Sequence, residues 1–261
     1  MNAVRLALGT LTALPVRPPT VVDRRVAGFA MALAPAVGLL LAVVVGAPLA
    51  LAVEYAGAAP LLLAGLAVGA LAVLTRAIHL DGLADVADGL GSGRRGAEAL
   101  VIMKQSDVGP FGVATLTLTL LLQVAALGSL LAAGVGVPAL LVALVASRAT
   151  LSLACTPWFP AARSDGLGAV VAGSVWGLLV PVTLGLAAGA ALVGGGVLTG
   201  FDLVGDAAMH RLLLLAPLAV VPGLLLARHA ARRFGGVTGD VYGAVVETSF
   251  TASLVVAALA A

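Results

Sequence analysis

The chain has 261 residues, of which 61% are hydrophobic and only 10% charged, against roughly 25% charged in a soluble globular domain. That composition excludes a water-soluble fold. The formal charge of +2 leaves 14 Lys plus Arg scattered between apolar runs, a distribution that excludes a nucleic-acid-binding surface.

Crossing hydrocarbon takes a helix of about 20 apolar residues, and backbone polar groups there must be satisfied within their own segment, so long apolar runs are expected as helices. The opening MNAVRLALGTLTALPVRPP has one early Arg and a short apolar run, but no A-x-A-like cleavage site before Arg17. Residues 1–26 are therefore expected as an uncleaved interfacial or re-entrant segment. Spans are expected over 28–53, 60–78, 108–133, 138–155, 170–198, 212–227 and 242–260. The alternation of a transmembrane barrel is absent. The expected fold is all-α, a polytopic membrane helix bundle of about seven spans in one domain, residues 1–261. Cys155, the single cysteine, falls inside an expected span and reads as a buried small residue.

Cytoplasmic loops carry the excess of Lys and Arg. Arg5, Arg17, Arg24 and Arg25 precede the first span, Arg94, Arg95 and Lys104 follow the second, Arg163 follows the fourth, and Arg228, Arg232 and Arg233 follow the sixth. The opposite loops hold Glu54, then no charge in 134–137, then Asp202 and Asp206 with Arg211 at the edge. The count puts the N-terminus in the cytoplasm and gathers the segments 79–95, 157–169 and 235–240 on that side, where they can form one site. Pro217 and Pro222 weaken the sixth span; a re-entrant segment there would bring the C-terminus inside.

HLDGLADVADGLGSGRR, residues 79–95, concentrates three aspartates in an apolar chain. Asp81, Asp85 and Asp88 are spaced i, i+4 and i+7, within a ~60° arc of one helix face. Carboxylates on one stripe repel one another, and a divalent cation removes the conflict. With no matching His or Cys cluster, oxygen-only ligands favour Mg²⁺, or Mn²⁺, over zinc. The blander reading is a solvated helix end. Gly82, Ala84, Ala87 and Gly89 keep the surroundings small, which favours a ligand. Beyond the aspartates, Gly91, Gly93, Arg94, Arg95 and Lys104 suit phosphate, although Arg94 and Arg95 also read as ordinary cytoplasmic-loop cations.

Ionisable residues inside spans are costly and usually functional. Glu247 lies seven residues after Asp240 on a face shared with Thr251. It completes the metal site, binds substrate, or forms a buried pair with Arg148, which sits beside Ser147 and Ser152. His79 is placed to pair with phosphate or carboxylate; His210 and His229 read as interfacial.

These blocks resemble the adenosylcobinamide-GDP ribazoletransferase, or cobalamin synthase, family. The resemblance rests on HLDGLADVADGLG at 79–91, KQSDVGPFGV at 104–113, GGVTGDVYGAVVE at 235–247, and TLTALPV at 10–16 followed by AGFAMALAPAVGLLL. Two positions depart: Ala13 stands where an Arg is common before Leu-Pro, and ETSF follows where a second acidic residue is common. The resemblance implies that a ribose hydroxyl of α-ribazole, or of its 5′-phosphate, attacks the cobinamide-side phosphorus of adenosylcobinamide-GDP and releases GMP. It implies an enzyme of the bacterial inner (plasma) membrane with its site facing the cytoplasm. Asp81, Asp85 and Asp88 would be catalytic and hold Mg²⁺, with Asp88 or a neighbour accepting the nucleophile's proton. His79, Arg94, Arg95, Lys104, Asp107, Arg148, Thr238, Asp240 and Glu247 would bind substrate.

Two other classes fit less well. CDP-alcohol phosphotransferases open on DG-x-x-A-R, which overlaps DGLAD, but the Arg is lacking and the later G-x-x-x-D-x-x-x-D spacing is not reproduced. A carboxylate-based transporter would show inverted repeats with broken helices, and none is visible. Small residues such as Gly65, Gly69, Gly185 and Gly189 permit close packing within a subunit or in a homo-oligomer.

Overall fold

The structure, a computed structural model, describes residues 1–177, 179–181, 183–185, 187 and 206–261. Those residues form helices and no strand. α1 (Asn2–Leu11) turns Leu6, Ala7 and Leu11 inward against α2 (Arg24–Ala32) and α3 (Ala34–Tyr55). At 10 residues α1 is too short to span, so the N-terminal segment is a short helix followed by irregular chain.

The expected first span is two helices. Pro35 occupies the first turn of α3 and disfavours helical backbone at the residue before it, so the ladder breaks near Leu33. Asp23 caps α2 by accepting the Val26 N–H at 2.7 Å. The expected second span also ends early. α4 (Pro60–Leu74) and α5 (Ile78–Gly91) meet at 89°, through Arg76 and Ala77 in left-handed backbone at φ 55° and 52°. The aspartate helix α5 therefore turns sharply away from the apolar arm that leads into it.

α6 (Gly96–Ile102), α7 (Pro110–Ala132), α8 (Gly136–Ala154), α9 (Gly166–Val171), α10 (Asp206–Phe234) and α11 (Gly239–Ala260) follow in chain order among the described helices. Four of these, α3, α7, α8 and α11, are long and apolar enough to cross a membrane, or five if α4 and α5 count as one broken span. The expected seven are not all found among the described residues. Residues 188–198 of the expected span 170–198, Gly189 included, lie outside them, as does Asp202. The 212–227 run falls within α10, which is continuous through Pro217 and Pro222.

α8 is the axis of the bundle, buried along almost all of its length and packed against α3, α10 and α11. Two apolar clusters lie along it. One joins α1, α2, α5 and the start of α11; the other joins α3, α4, α7 and the end of α11.

The aspartate motif and the last motif meet directly, because α5 packs on α11 without intervening side chains. A Cβ on Gly82 would lie 2.6 Å from the Asp240 carbonyl oxygen, and one on Gly243 would lie 3.1 Å from the His79 Cα. Gly82→Val is expected to force these backbones apart and to cost about 1–3 kcal/mol. Thermal melting in detergent checks this, with Gly65→Val as control, since nothing lies within 4 Å of a Cβ at Gly65. Gly69 is open in the same way, so neither glycine serves a close contact among the described residues.

Candidate active site

A cavity of about 390 Å³ opens where α5, the start of α11 and the 156–169 loop converge. Its polar lining includes His79, Asp81, Thr238 and Asp240 from the two motifs, together with Arg76 and Arg163. The loop is fastened to the start of α11 by backbone bonds. The Ala162 N–H donates to the Val237 carbonyl at 2.9 Å, and the Val237 N–H donates to the Pro160 carbonyl at 2.8 Å. A side chain at Gly236 would collide with the backbone of Ala161 and Ala162, and a Cβ on Gly168 would lie 2.6 Å from the Gly239 nitrogen. The glycines of GGVTGD and SDGLG thus allow two loops to lie flush beside the cavity.

Thr238 caps α11, its hydroxyl oxygen accepting the Val241 N–H at 3.3 Å while its O–H donates to Asp240 Oδ2 at 3.1 Å. Asp240 is half-buried and Asp81 is exposed to the cavity. Asp85 lies behind them, half-buried. Its burial first, then the Asp240, Asp81 and Asp88 carboxylates, push its carboxyl up to about 7. This is the like-charge conflict expected of the stripe, and a cation would relieve it as a proton does. The donors are oxygens throughout, which suits Mg²⁺ or Mn²⁺. No three His, Cys, Asp or Glu side chains among the described residues are gathered closely enough to hold an ion as they stand.

Asp88 is differently engaged. Its carboxylate accepts the Gly109 N–H at 2.8 Å and the Gly112 N–H at 3.0 Å. It thereby ties α5 to the start of α7, and a Cβ on Gly112 would sit 2.5 Å from Asp88 Oδ2. Charge at a helix N-terminus is favourable, so Asp88 has a structural partner that Asp81 lacks.

The glycine-rich basic stretch does not reach the cavity. Arg94 makes an exposed i,i+4 pair with Glu98 at 3.1 Å, and Arg95, Lys104 and Asp107 are exposed without lining the cavity. Exposed pairs of this kind are worth about 1 kcal/mol or less. Arg94→Gln is accordingly expected to leave melting and KM near wild type, which steady-state kinetics beside a melting curve would check.

Arg148 and Glu247 line a second, smaller cavity of about 20 Å³ deeper in the bundle. Glu247 Oε2 accepts from Gln123 Nε2 at 2.8 Å, and the same amide donates to Thr251 Oγ1 at 3.0 Å. Arg148 donates to Ser147 Oγ at 2.9 Å, and its Nε has no partner among the described residues. The ion pairs among the described residues are Arg94 with Glu98 and Arg163 with Asp165, so Arg148 and Glu247 do not touch as a salt bridge. His79 is buried, with its Nδ1 unpartnered among the described residues.

Sequence reasoning did not single out Arg76, Arg163 or Gln123. Gln123 carried a usable signal, as an amide alone in an apolar span. Arg163 was visible only as a loop cation, and Arg76 only as the edge of a span.

The family model for cobalamin-5-phosphate synthase matches residues 3–258. A relative from Frankia casuarinae named adenosylcobinamide-GDP ribazoletransferase is 43% identical over 99% of this chain and 95% of its own length. Relatives of the same name from a Nocardioides species and from Pseudomonas aeruginosa are 44% identical over 97% of the chain and 96% of their own length, and 38% identical over 99% and 98%. No solved structure matches the chain.

Proposed function

The chain belongs to the cobalamin-5-phosphate synthase family and is a transferase of cobalamin biosynthesis, and from that footing we propose that it joins adenosylcobinamide-GDP to α-ribazole or its 5′-phosphate at the α5–α11 cavity. The observation that carries this reading is the convergence of two motifs more than a hundred residues apart, with Asp81 and Asp240 on one cavity wall. A pyrophosphate must be held there while a hydroxyl is aligned with its phosphorus. The new bond forms between the ribose oxygen and the cobinamide-side phosphorus. The bond from that phosphorus to the bridging oxygen breaks, the oxygen leaving with GMP. The hydroxyl proton passes to a cavity carboxylate, for which Asp81 and Asp240 are placed.

Asp81 and Asp85 would hold Mg²⁺ or Mn²⁺, which supplies charge neutralisation at the pyrophosphate, while Asp88 is engaged by the start of α7. His79 lines the cavity beside Asp81 and would accept a hydrogen bond from substrate. The site would face the cytoplasm of the bacterial plasma membrane, the side favoured by the loop cations. The test is GMP release by detergent-purified protein given adenosylcobinamide-GDP and α-ribazole phosphate, with and without Mg²⁺. A joined cobamide appearing with GMP only in Mg²⁺ is expected. CMP from a CDP-linked lipid and an alcohol, with no GMP, would overturn the reading.

A further inference from the structure

We infer that Arg163, together with Arg76, forms the anion grip of this cavity and holds the pyrophosphate of the nucleotide-linked substrate. The inference rests on the transferase reading above. A pyrophosphate diester carries two negative charges, and carboxylates supply nothing to bind it directly. The glycine-rich basic stretch that sequence suggested for this task points elsewhere, since Arg94 is spent on Glu98 at the surface and Arg95 and Lys104 lie outside the cavity wall. Arg148 lines the other cavity. The cations on the wall of the larger cavity, among the described residues, are Arg76 and Arg163.

Arg163 is held in place by backbone on both sides. It follows directly on the bonds that fasten Pro160 and Ala162 to Val237, and it precedes the close approach of Gly168 to Gly239. Both clamps grip the segment that supplies Thr238 and Asp240, so the guanidinium is carried on the same rigid unit as the motif carboxylate. Its own partner is weak. Nε stands 3.6 Å from Asp165 Oδ1, beyond hydrogen-bond reach, and the Asp165 side chain is 73% exposed. The guanidinium donates no hydrogen bond to a described residue, which leaves a planar fork of N–H donors of the kind that matches phosphate oxygens in pairs.

Arg76 is placed by a different device. It and Ala77 occupy left-handed backbone without being glycine, an unfavourable conformation that surrounding structure must hold. One guanidinium N–H is fixed by donation to the Gly9 carbonyl at 2.9 Å, and the remaining donors are available at the cavity. Sequence offered no cue for this, because left-handed backbone is ordinarily announced by glycine.

The experiment uses full-length protein in detergent, with GDP as a non-reacting probe in calorimetry and with separate KM values for adenosylcobinamide-GDP and α-ribazole phosphate. Arg163→Gln is expected to weaken GDP binding and raise KM for adenosylcobinamide-GDP by about tenfold or more, with KM for α-ribazole phosphate and the melting temperature unchanged. Arg163→Lys, which keeps the charge and loses the fork, should fall between, and it decides the matter if Arg163→Gln does not fold. Arg76→Gln should act in the same direction. Wild-type GDP affinity and KM in both Arg163 variants would overturn the inference while leaving the transferase reading intact, and so would an equal rise in both KM values. A wild-type protein that releases no GMP would instead remove the transferase reading, with GDP affinity still reporting on Arg163.

Discussion

Asp81→Asn is expected to lower turnover by about a thousandfold while leaving the melting temperature where it was. Asp81 is exposed to the cavity and accepts no hydrogen bond from another described side chain, so an isosteric amide removes charge without removing packing. Neutralising charge on a transferring phosphoryl group is worth several kcal/mol, and about 4 kcal/mol corresponds to about a thousandfold in rate. Asp88→Asn should behave in the opposite way. Its two oxygens each accept a backbone N–H at the start of α7, and an amide has one acceptor oxygen, so one buried donor loses its partner at about 1–3 kcal/mol. The pair of variants separates chemistry from architecture along one helix. Near-normal turnover by Asp81→Asn at saturating Mg²⁺ would remove Asp81 from the metal assignment.

Axial rise explains why a shared face did not become a shared site. Residues i and i+7 lie on one stripe, yet at 1.5 Å per residue they stand about 10 Å apart along the axis, too far for one ion with oxygen ligands at about 2 Å. Periodicity in α5 reported direction and was silent about depth. Asp81 reaches the cavity, Asp85 lies half-buried between, and Asp88 is buried beneath the α7 terminus. A single ion therefore suits Asp81 and Asp85, separated by one turn, better than all three, and Asp240, brought beside them by the glycine contact at Gly82, is the natural further oxygen donor.

The long apolar helices were legible. The expected spans 138–155 and 108–133 are α8 (136–154) and α7 (110–132) within two residues at each end, because apolar length alone defines such segments. The breaks were not read: 28–53 was expected as one span, and Pro217 and Pro222 were expected to weaken a run that is continuous helix. Pro35 marks the division of α2 from α3, whereas the turn between α4 and α5 depends on left-handed Arg76 and Ala77, which carry no such mark. The meeting of the 79–91 and 235–247 blocks was readable as a shared side of the membrane. The 157–169 loop was readable on that same side, but not its fastening to residue 237, which depends on backbone bonds between segments with no common pattern.

Glu247→Leu is expected to be the most destabilising of the carboxylate changes, costing about 3–5 kcal/mol, the range for removing one partner of a buried charged pair. Glu247 is buried on α11 and receives the Gln123 amide from α7, while Arg148 from α8 lines the same small cavity. The three helices thus share one polar junction in an otherwise apolar bundle. At about 20 Å³ the cavity has room for a single water, which would bridge the two charges that do not meet directly and satisfy the Arg148 Nε. Removing the carboxylate leaves the guanidinium buried without its counter-charge; removing both charges together costs less, so Arg148→Met combined with Glu247→Leu should recover part of the lost stability. Melting of the two single variants and the double variant in detergent reads this as a thermodynamic cycle. Glu247→Gln, which keeps the size and one acceptor, should melt closer to wild type and retain most of its turnover. If that variant instead melts like wild type but loses turnover a hundredfold, Glu247 acts on substrate, and the deep junction is part of the reaction rather than the frame that holds α7, α8 and α11 behind it.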